Sequence, residues 1–337
     1  MSVKINIVSL GKIKSIMELV RFITEYSDEE KCKRLFKSYR DKVGVVCKKC
    51  GSREHYWQQS IWQYECKHCK FRTTLRSGTI LEASKLPFCY WIMAMFLMSI
   101  SKKSFSAHEM QHMLGHKRYE PIWAMMHKIR AGMGNRESRY KLDGEVELDD
   151  AYIKVMKEQP IEFLNYRPES LKGGRGSQRQ AKLLVMSKII SDPEKATFTG
   201  GKKGRSFRFV KMKVMEDLTS KEIHRELKKS VDKEASLVSD AYAGFKKLNA
   251  VVKSHQYYPI APKLADKVLP WVHTMISNAK RTLLGTHHWV SEKYLQNYLD
   301  EFSYRTNRRY FGQKLWERLM IVAVEDTWYG KLIYVNG

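Results

Sequence analysis

No stretch of this sequence stays apolar for long enough to cross a bilayer. The longest such run, Leu86 to Ile100, falls short of the roughly 20 residues a span requires and predicts a buried helix instead. A secretion signal is also missing, because Lys4, Lys12 and Lys14 stand in an apolar-basic mix that runs into a helical pattern with no small-residue cleavage site. The expected location is therefore cytoplasmic, with no membrane partner. Cysteine is scarce, at six in 337 residues, and in the cytosol that argues against a disulfide framework and leaves the thiols for other work. No long-period internal repeat is evident.

Acids are in short supply as well, 36 against 61 Lys and Arg, which leaves a formal charge of +25. The basic residues are spread along the whole chain and often lie beside aromatics. That combination points to a polyanionic partner, since Lys and Arg supply salt-dependent phosphate contacts and aromatic rings stack on unpaired bases. A ribosomal or membrane-surface protein can carry a similar charge, so the balance names a class of partner and no reaction.

The length exceeds that of one ordinary domain, so two or three cores are expected. Residues 13–40 show helical periodicity with a break at TEYSDEE, where Ser27 and Glu30 fit a capping box opening a second helix. Short runs bearing Tyr, Trp and Val then alternate with cysteine pairs, the pattern of hairpins pinned by a metal. Between Lys102 and Met133 a short helix, a turn at Gly115 and a second helix predict a helix-turn-helix. It carries Lys102, Lys103, Lys117, Arg118, Lys128 and Arg130 as candidate DNA contacts, although two amphipathic helices about a Gly turn are also a common packing unit.

From Gly144 the pattern becomes strand-like: VELDDAYIKV, AKLLVMSKII and FRFVKMKVM, a helix from Ser220 to about Val231, then a fourth strand ending at Asp240. A further helix and a short fifth strand near Tyr257–Ile260 complete the order of a ribonuclease H-like mixed sheet. The polar, Gly-rich linker from Lys157 to Arg179 reads as a mobile loop. The predicted fold class is multidomain α+β: a helical lead-in over 1–44, a zinc ribbon over 45–80, a helix-turn-helix DNA-binding region over 81–140 and a catalytic domain over 141–325.

Cys47, Cys50, Cys66 and Cys69 make C-x2-C-x15-C-x2-C, the spacing of a four-thiolate zinc site. Such a closed site offers no position to substrate, so its zinc is structural. Cys32 and Cys89 have no comparable partners and read as core thiols. Asp149 and Asp240 each end a short apolar run, in GEVELDDAYI and ASLVSDAYAGF. A carboxylate beside a buried edge must be paired, hydrogen-bonded or bound to a cation. One such acid reads as a helix cap or turn residue; two in so basic a chain read as metal ligands.

These residues resemble the bacterial insertion-sequence transposases of the DDE type, in the branch with a zinc ribbon ahead of the catalytic domain. The resemblance runs through SDEEKCKRLF, RSGTILEASKLPFCYW, GEVELDDAYI, LVSDAYAGF and HTMISNAKRTLLGTHHWVSEKYLQNYLDEFSYRTNRR, and so covers nearly the whole chain. It implies that Asp149, Asp240 and, in place of the usual third acid, Asn278 hold two Mg²⁺ or Mn²⁺ ions. Those ions would activate water or a 3′-hydroxyl for in-line displacement at phosphorus. Lys280 takes the family's basic position. Asp150, which alternation points to the opposite face of the strand, is the lesser ligand.

Residues two apart lie about 200° around a helix, so Asn278 and Lys280 cannot both face the ions on a continuous helix. His273, seven before Lys280, is the rival third group; Asn278 serves if the helix begins near Ser277. Glu301, Arg305 and Arg308 fall at i, i+4 and i+7, an ordinary surface ion-pair spacing. The resembled branch shares their pattern, which implies that they face the active site or its DNA. His287 and His288 read as loop residues or phosphate contacts. The implied activity is binding of element ends with DNA cleavage and strand transfer, on double-stranded inverted repeats and target DNA. A homo-oligomer on that DNA and an association with the nucleoid are implied with it. The rivals are a non-enzymatic DNA-binding regulator and a metal-dependent nuclease that does not join strands.

Overall fold

The computed structural model describes residues 19–156, 180–191, 205–259, 268–287 and 290–327. The Lys157–Arg179 linker, Ile260 and His288 lie outside them. The chain divides into two compact units, one made of residues 1–101, 107–132 and 313–337, the other of 102–106 and 133–312.

In the first unit a helical stretch at 19–25 precedes α1, Glu29–Val43. The cap of α1 is Asp28, whose Oδ1 accepts from the Lys31 amide at 2.7 Å. The Ser27 hydroxyl, expected in that role, donates backwards to the Thr24 carbonyl. Asp28 takes the place because its carboxylate offers a stronger acceptor and its charge suits the positive end of the helix. The strands β1 (His55–Gln58), β2 (Gln63–Cys66) and β3 (Arg72–Thr74) form an antiparallel meander. Tyr64 on β2 donates to Asp41 of α1 at 2.7 Å, and Lys37 of α1 lies over the Trp57 ring, so the lead-in helix is fastened to the ribbon.

The apolar run becomes α2, Phe88–Ile100, with most of its residues buried. Pro87 provides it no side-chain cap; the Glu29 carboxylate does so from a distance, accepting the Phe88 and Cys89 amides at 2.9 and 3.0 Å. Next come α3 (Ala107–Leu114), a turn at Gly115 with φ +63°, and α4 (Tyr119–Ser138), whose last residues belong to the second unit. The last helix among the described residues, α8 (Leu315–Glu325), packs on α1 and α2. Among the described residues no helix is long and apolar enough to cross a membrane.

The second unit is a five-stranded mixed sheet in the order β6-β5-β4-β7-β8. β4 (Glu145–Lys154), β5 (Gln180–Ser191) and β6 (Arg205–Met215) pair antiparallel; β7 (Ser236–Asp240) joins β4 in parallel and β8 (Ser254–Tyr258) joins β7 in parallel. One face packs on α6 (Pro270–Thr286) and α7 (Glu292–Arg308), through Val272, Met275, Ala279, Leu295 and Leu299. The other packs on α5 (Ser220–Ser230) through Ile223 and Leu227. This is the ribonuclease H-like mixed α+β architecture expected from the strand pattern.

Three local expectations change. Asp149 sits inside β4, not at its end, because the strand runs on to Lys154. The helix expected between the fourth and fifth strands is two 3₁₀ turns, Ala243–Phe245 and Leu248–Ala250. Lys247 between them is left-handed at φ +60°, which interrupts helical propagation. The fifth strand also lies earlier, at Ser254–Tyr258.

The free edge of β6 is closed by amide side chains from α7. Asn307 accepts from the Val210 amide and donates to its carbonyl; Gln296 accepts from Val214 and donates to the Met212 carbonyl. The two are eleven residues apart, about three helical turns, so one helix face satisfies an edge otherwise open to strand pairing. Gln296 also donates to Asp300 at 2.8 Å, whose carboxyl burial pushes up to about 6.

Candidate functional site

β4 alternates between the two faces of its sheet. Val146 and Leu148 enter the core under α5, whereas Ala151 and Ile153 enter the core under α6. By the same period of two, Glu147 and Asp149 belong to the α6 face. The β4–β7 pairing stops at Leu148↔Ser239, so Asp149 and Asp240 stand next in line across two parallel strands at the carboxyl end of β7. Beyond that point β4 has no strand partner on this side among the described residues.

Carboxylate oxygens of Asp149, Asp150 and Asp240 all lie within 4.8 Å of one another. Alternation alone placed Asp150 away from this point; its carboxylate reaches it because the neighbouring strand has ended. Asp149 is buried, and its Oδ1 accepts from the Asp150 amide at 2.9 Å. Asp240 accepts from the Tyr242 amide at 3.1 Å, which fixes the turn after β7. Three carboxylates at such range repel one another unless a cation lies among them. An all-oxygen donor set suits a hard divalent ion such as Mg²⁺ or Mn²⁺.

The helix α6 runs unbroken from Pro270, so Asn278 lies in its third turn and not at its start. His273 in the first turn brings Nδ1 to 3.6 Å from Asp149 Oδ2. Asn278 lies about 140° away around the helix, and its amide oxygen accepts from Arg281 at 2.9 Å. Lys280 shares the His273 side, within about 20°. Glu147, which the sequence did not single out, is fully buried, and its Oε2 accepts the Trp271 and Val272 amides at 2.8 Å each. Its position two residues before Asp149, an acid inside an apolar strand, was the available signal.

The Glu301, Arg305 and Arg308 face turns inward. Glu301 is buried and accepts from the Ser104 hydroxyl at 3.0 Å and Arg305 at 3.1 Å. Arg308 pairs with Glu137 and lies over the Tyr304 ring at 4.1 Å. Both guanidiniums therefore have protein partners. His287 ends α6, its amide bonded to the Leu283 carbonyl and its ring 4.5 Å from that of Tyr298.

In the first unit the four Sγ atoms of Cys47, Cys50, Cys66 and Cys69 lie within 4.8 Å of one another. The Cys47–Cys69 and Cys50–Cys66 separations are 3.5 Å, near the ~3.8 Å edge of a thiolate tetrahedron around zinc. Two alike turns build the site: the Gly51 amide returns to the Cys47 carbonyl and the Lys70 amide to that of Cys66. Both Gly51 and Lys70 have positive φ, which aims each cysteine pair at a common centre. Of the expected DNA contacts, Lys102, Lys103, Lys117 and Arg118 are exposed. Two other expected DNA contacts are not on the surface. Arg130 is buried, and Lys128, about 200° away around α4, is half-buried because its ammonium donates to the Glu82 carbonyl.

The family model described as "ISXO2-like transposase domain" matches residues 141–307, and that described as "Transposase zinc-ribbon domain" matches 27–72. The Mos1 transposase paired-end complex with left transposon end is 14% identical, covers 60% of this chain and 62% of that chain, and has a TM-score of 0.27. The pre-cleavage Mos1 transpososome is 11% identical over 71% of this chain and 79% of that one, with a TM-score of 0.26. The chain thus spans 62% of the length of the first of these structures. No curated protein sequence matches it. The acid cluster falls inside the first matched segment and the four cysteines inside the second, and the two models together show that the chain carries an ISXO2-like transposase domain and a transposase zinc-ribbon domain.

Proposed function

We propose that this transposase binds the double-stranded ends of an insertion element, cuts a DNA strand there and joins it to target DNA, using Asp149 and Asp240 as cation ligands with Asp150 in reach. The observation that carries this reading is the convergence of three carboxylates within 4.8 Å, Asp149 and Asp150 from the middle of β4 and Asp240 from the end of β7. Divalent cations held there would supply Lewis-acid stabilisation of charge at phosphorus. The protein's own part is to hold the acids on rigid strands and to present basic groups to the DNA backbone. Lys280, on the side of α6 that reaches Asp149, is a candidate phosphate contact, as are exposed Lys102, Lys103, Lys117 and Arg118. We assign the zinc ribbon a structural role in shaping the end-binding surface.

The contact between His273 and Asp149 favours His273 over Asn278 as the third group. Arg305 and Arg308, paired with Glu301 and Glu137, brace α7 in this reading. The test incubates purified protein with Mg²⁺ or Mn²⁺ and DNA carrying candidate inverted repeats, and separates cleaved from joined products. His273→Ala is expected to lower cleavage about 100-fold and Asn278→Ala much less, the scale of losing one aligned group in an active site. The opposite ranking hands the third position to Asn278. Binding without cleavage supports a DNA-binding regulator, and cleavage without joining supports a nuclease.

A further inference from the structure

Glu147 lies fully buried on the α6 face of β4, two residues before Asp149. A carboxylate in such a place is costly unless donors stabilise it. Here Oε2 accepts two backbone N–H groups, from Trp271 and Val272, 2.8 Å each. Those amides belong to the first turn of α6, which begins with Pro270, has Leu269 as its cap residue and receives no side-chain cap of its own. The first-turn N–H groups of a helix have no partners within the helix, and its start carries a partial positive charge. Glu147 answers both needs from the neighbouring strand, 124 residues earlier in the chain. The next residue along α6 is His273, whose Nδ1 stands 3.6 Å from Asp149. One strand thus holds both the anchor for the start of the helix and the acid that the helix's histidine meets.

We infer that Glu147 is a positioning residue: it fixes the first turn of α6 and thereby the placement of His273 against Asp149, so that it affects strand cleavage through His273. The effect on cleavage rests on the reading of the acid cluster as the reaction site. The anchoring does not. The full-length protein is compared with Glu147→Ala and Glu147→Gln, the latter keeping one acceptor oxygen of similar reach. Amide hydrogen exchange is read at Trp271 and Val272, and kcat and KM on end-bearing DNA are read in parallel.

In Glu147→Ala the two amides are expected to exchange at least about tenfold faster, as they lose the acceptor that shields them. kcat is expected to fall by about 10- to 100-fold with KM unchanged, the range seen when a group supporting a reactive side chain is lost. Glu147→Gln recovers most of both losses, which separates lost anchoring from a failure to fold. In a His273→Ala background, Glu147→Ala causes no further drop in kcat. Unchanged exchange at Trp271 and Val272 overturns the proposal, and so does a kcat loss that multiplies independently with His273→Ala. A wild-type protein that cleaves no DNA while those amides are protected, and deprotected in Glu147→Ala, refutes the cleavage reading and upholds the anchor.

Discussion

Asp240→Asn and Asp149→Asn each reduce DNA cleavage by at least about 1,000-fold, equivalent to roughly 4 kcal/mol of barrier, while leaving the affinity for element-end DNA close to that of the parent. The exchange is nearly isosteric, so the Asp240 side chain still accepts from the Tyr242 amide and the Asp149 side chain from that of Asp150. What is lost is one negative oxygen from a group that lies within 4.8 Å of two others. Cation affinity at such a site depends on the count of charged ligands. Cleavage is read on a labelled inverted-repeat duplex and affinity by anisotropy on the same DNA. Full cleavage by either variant removes that acid from the site. A matching loss of affinity would mean that the substitution disturbed folding or the DNA surface instead. The same substitution at Asp150 is informative, because Asp150 is in the cluster by proximity alone.

The second large effect concerns the ribbon. Its three strands span four, four and three residues, too little sheet to be stable in water by itself. Zinc binding to such small domains contributes about 10–16 kcal/mol of apparent free energy that is in effect folding free energy. One zinc per chain is expected by colorimetric release, and Cys50→Ser or Cys66→Ser abolishes it. Without zinc, residues 45–80 become open to proteolysis. The sheet of the second unit has its own hydrophobic cores on both faces and keeps its protection. A zinc-free protein whose ribbon resists protease as before contradicts the structural role assigned to the four thiols.

The parts of this architecture that could be read from the sequence are those written in short-range spacing. Two C-x2-C pairs state a tetrahedral site by themselves, and alternating strands with one well-patterned helix gave the order of the mixed sheet. The sequence was less informative wherever the outcome depended on a partner. Asp150 was assigned to the far face by strand alternation, which persists along β4, yet with the β7 pairing ended at Leu148 its carboxylate still comes within 4.8 Å of the other two. Glu147 was marked locally only as an acid inside an apolar strand, and its function could not be read from that because the amides whose bonds it accepts are more than a hundred residues away. Arg305 and Arg308 show the spacing of exposed ion pairs, yet their partners Glu301 and Glu137 are buried. Lys247 has no turn-forming side chain, and its left-handed backbone divides what reads as one helix into two turns. The start of α6 was legible through Pro270, a residue favoured in the first turn of a helix. That proline removes the condition, a helix start near Ser277, under which Asn278 would serve as the third group.

The central claim is that Asp149, Asp150 and Asp240 form a divalent-cation site. It is tested most directly by Mn²⁺ titration of the zinc-loaded protein on end-bearing DNA, with bound Mn²⁺ counted by electron paramagnetic resonance. The account predicts two saturable Mn²⁺ ions per chain in the parent protein and their loss from the Asp149→Asn, Asp240→Asn double variant. Equal Mn²⁺ binding by the two proteins, or none by either, would contradict it.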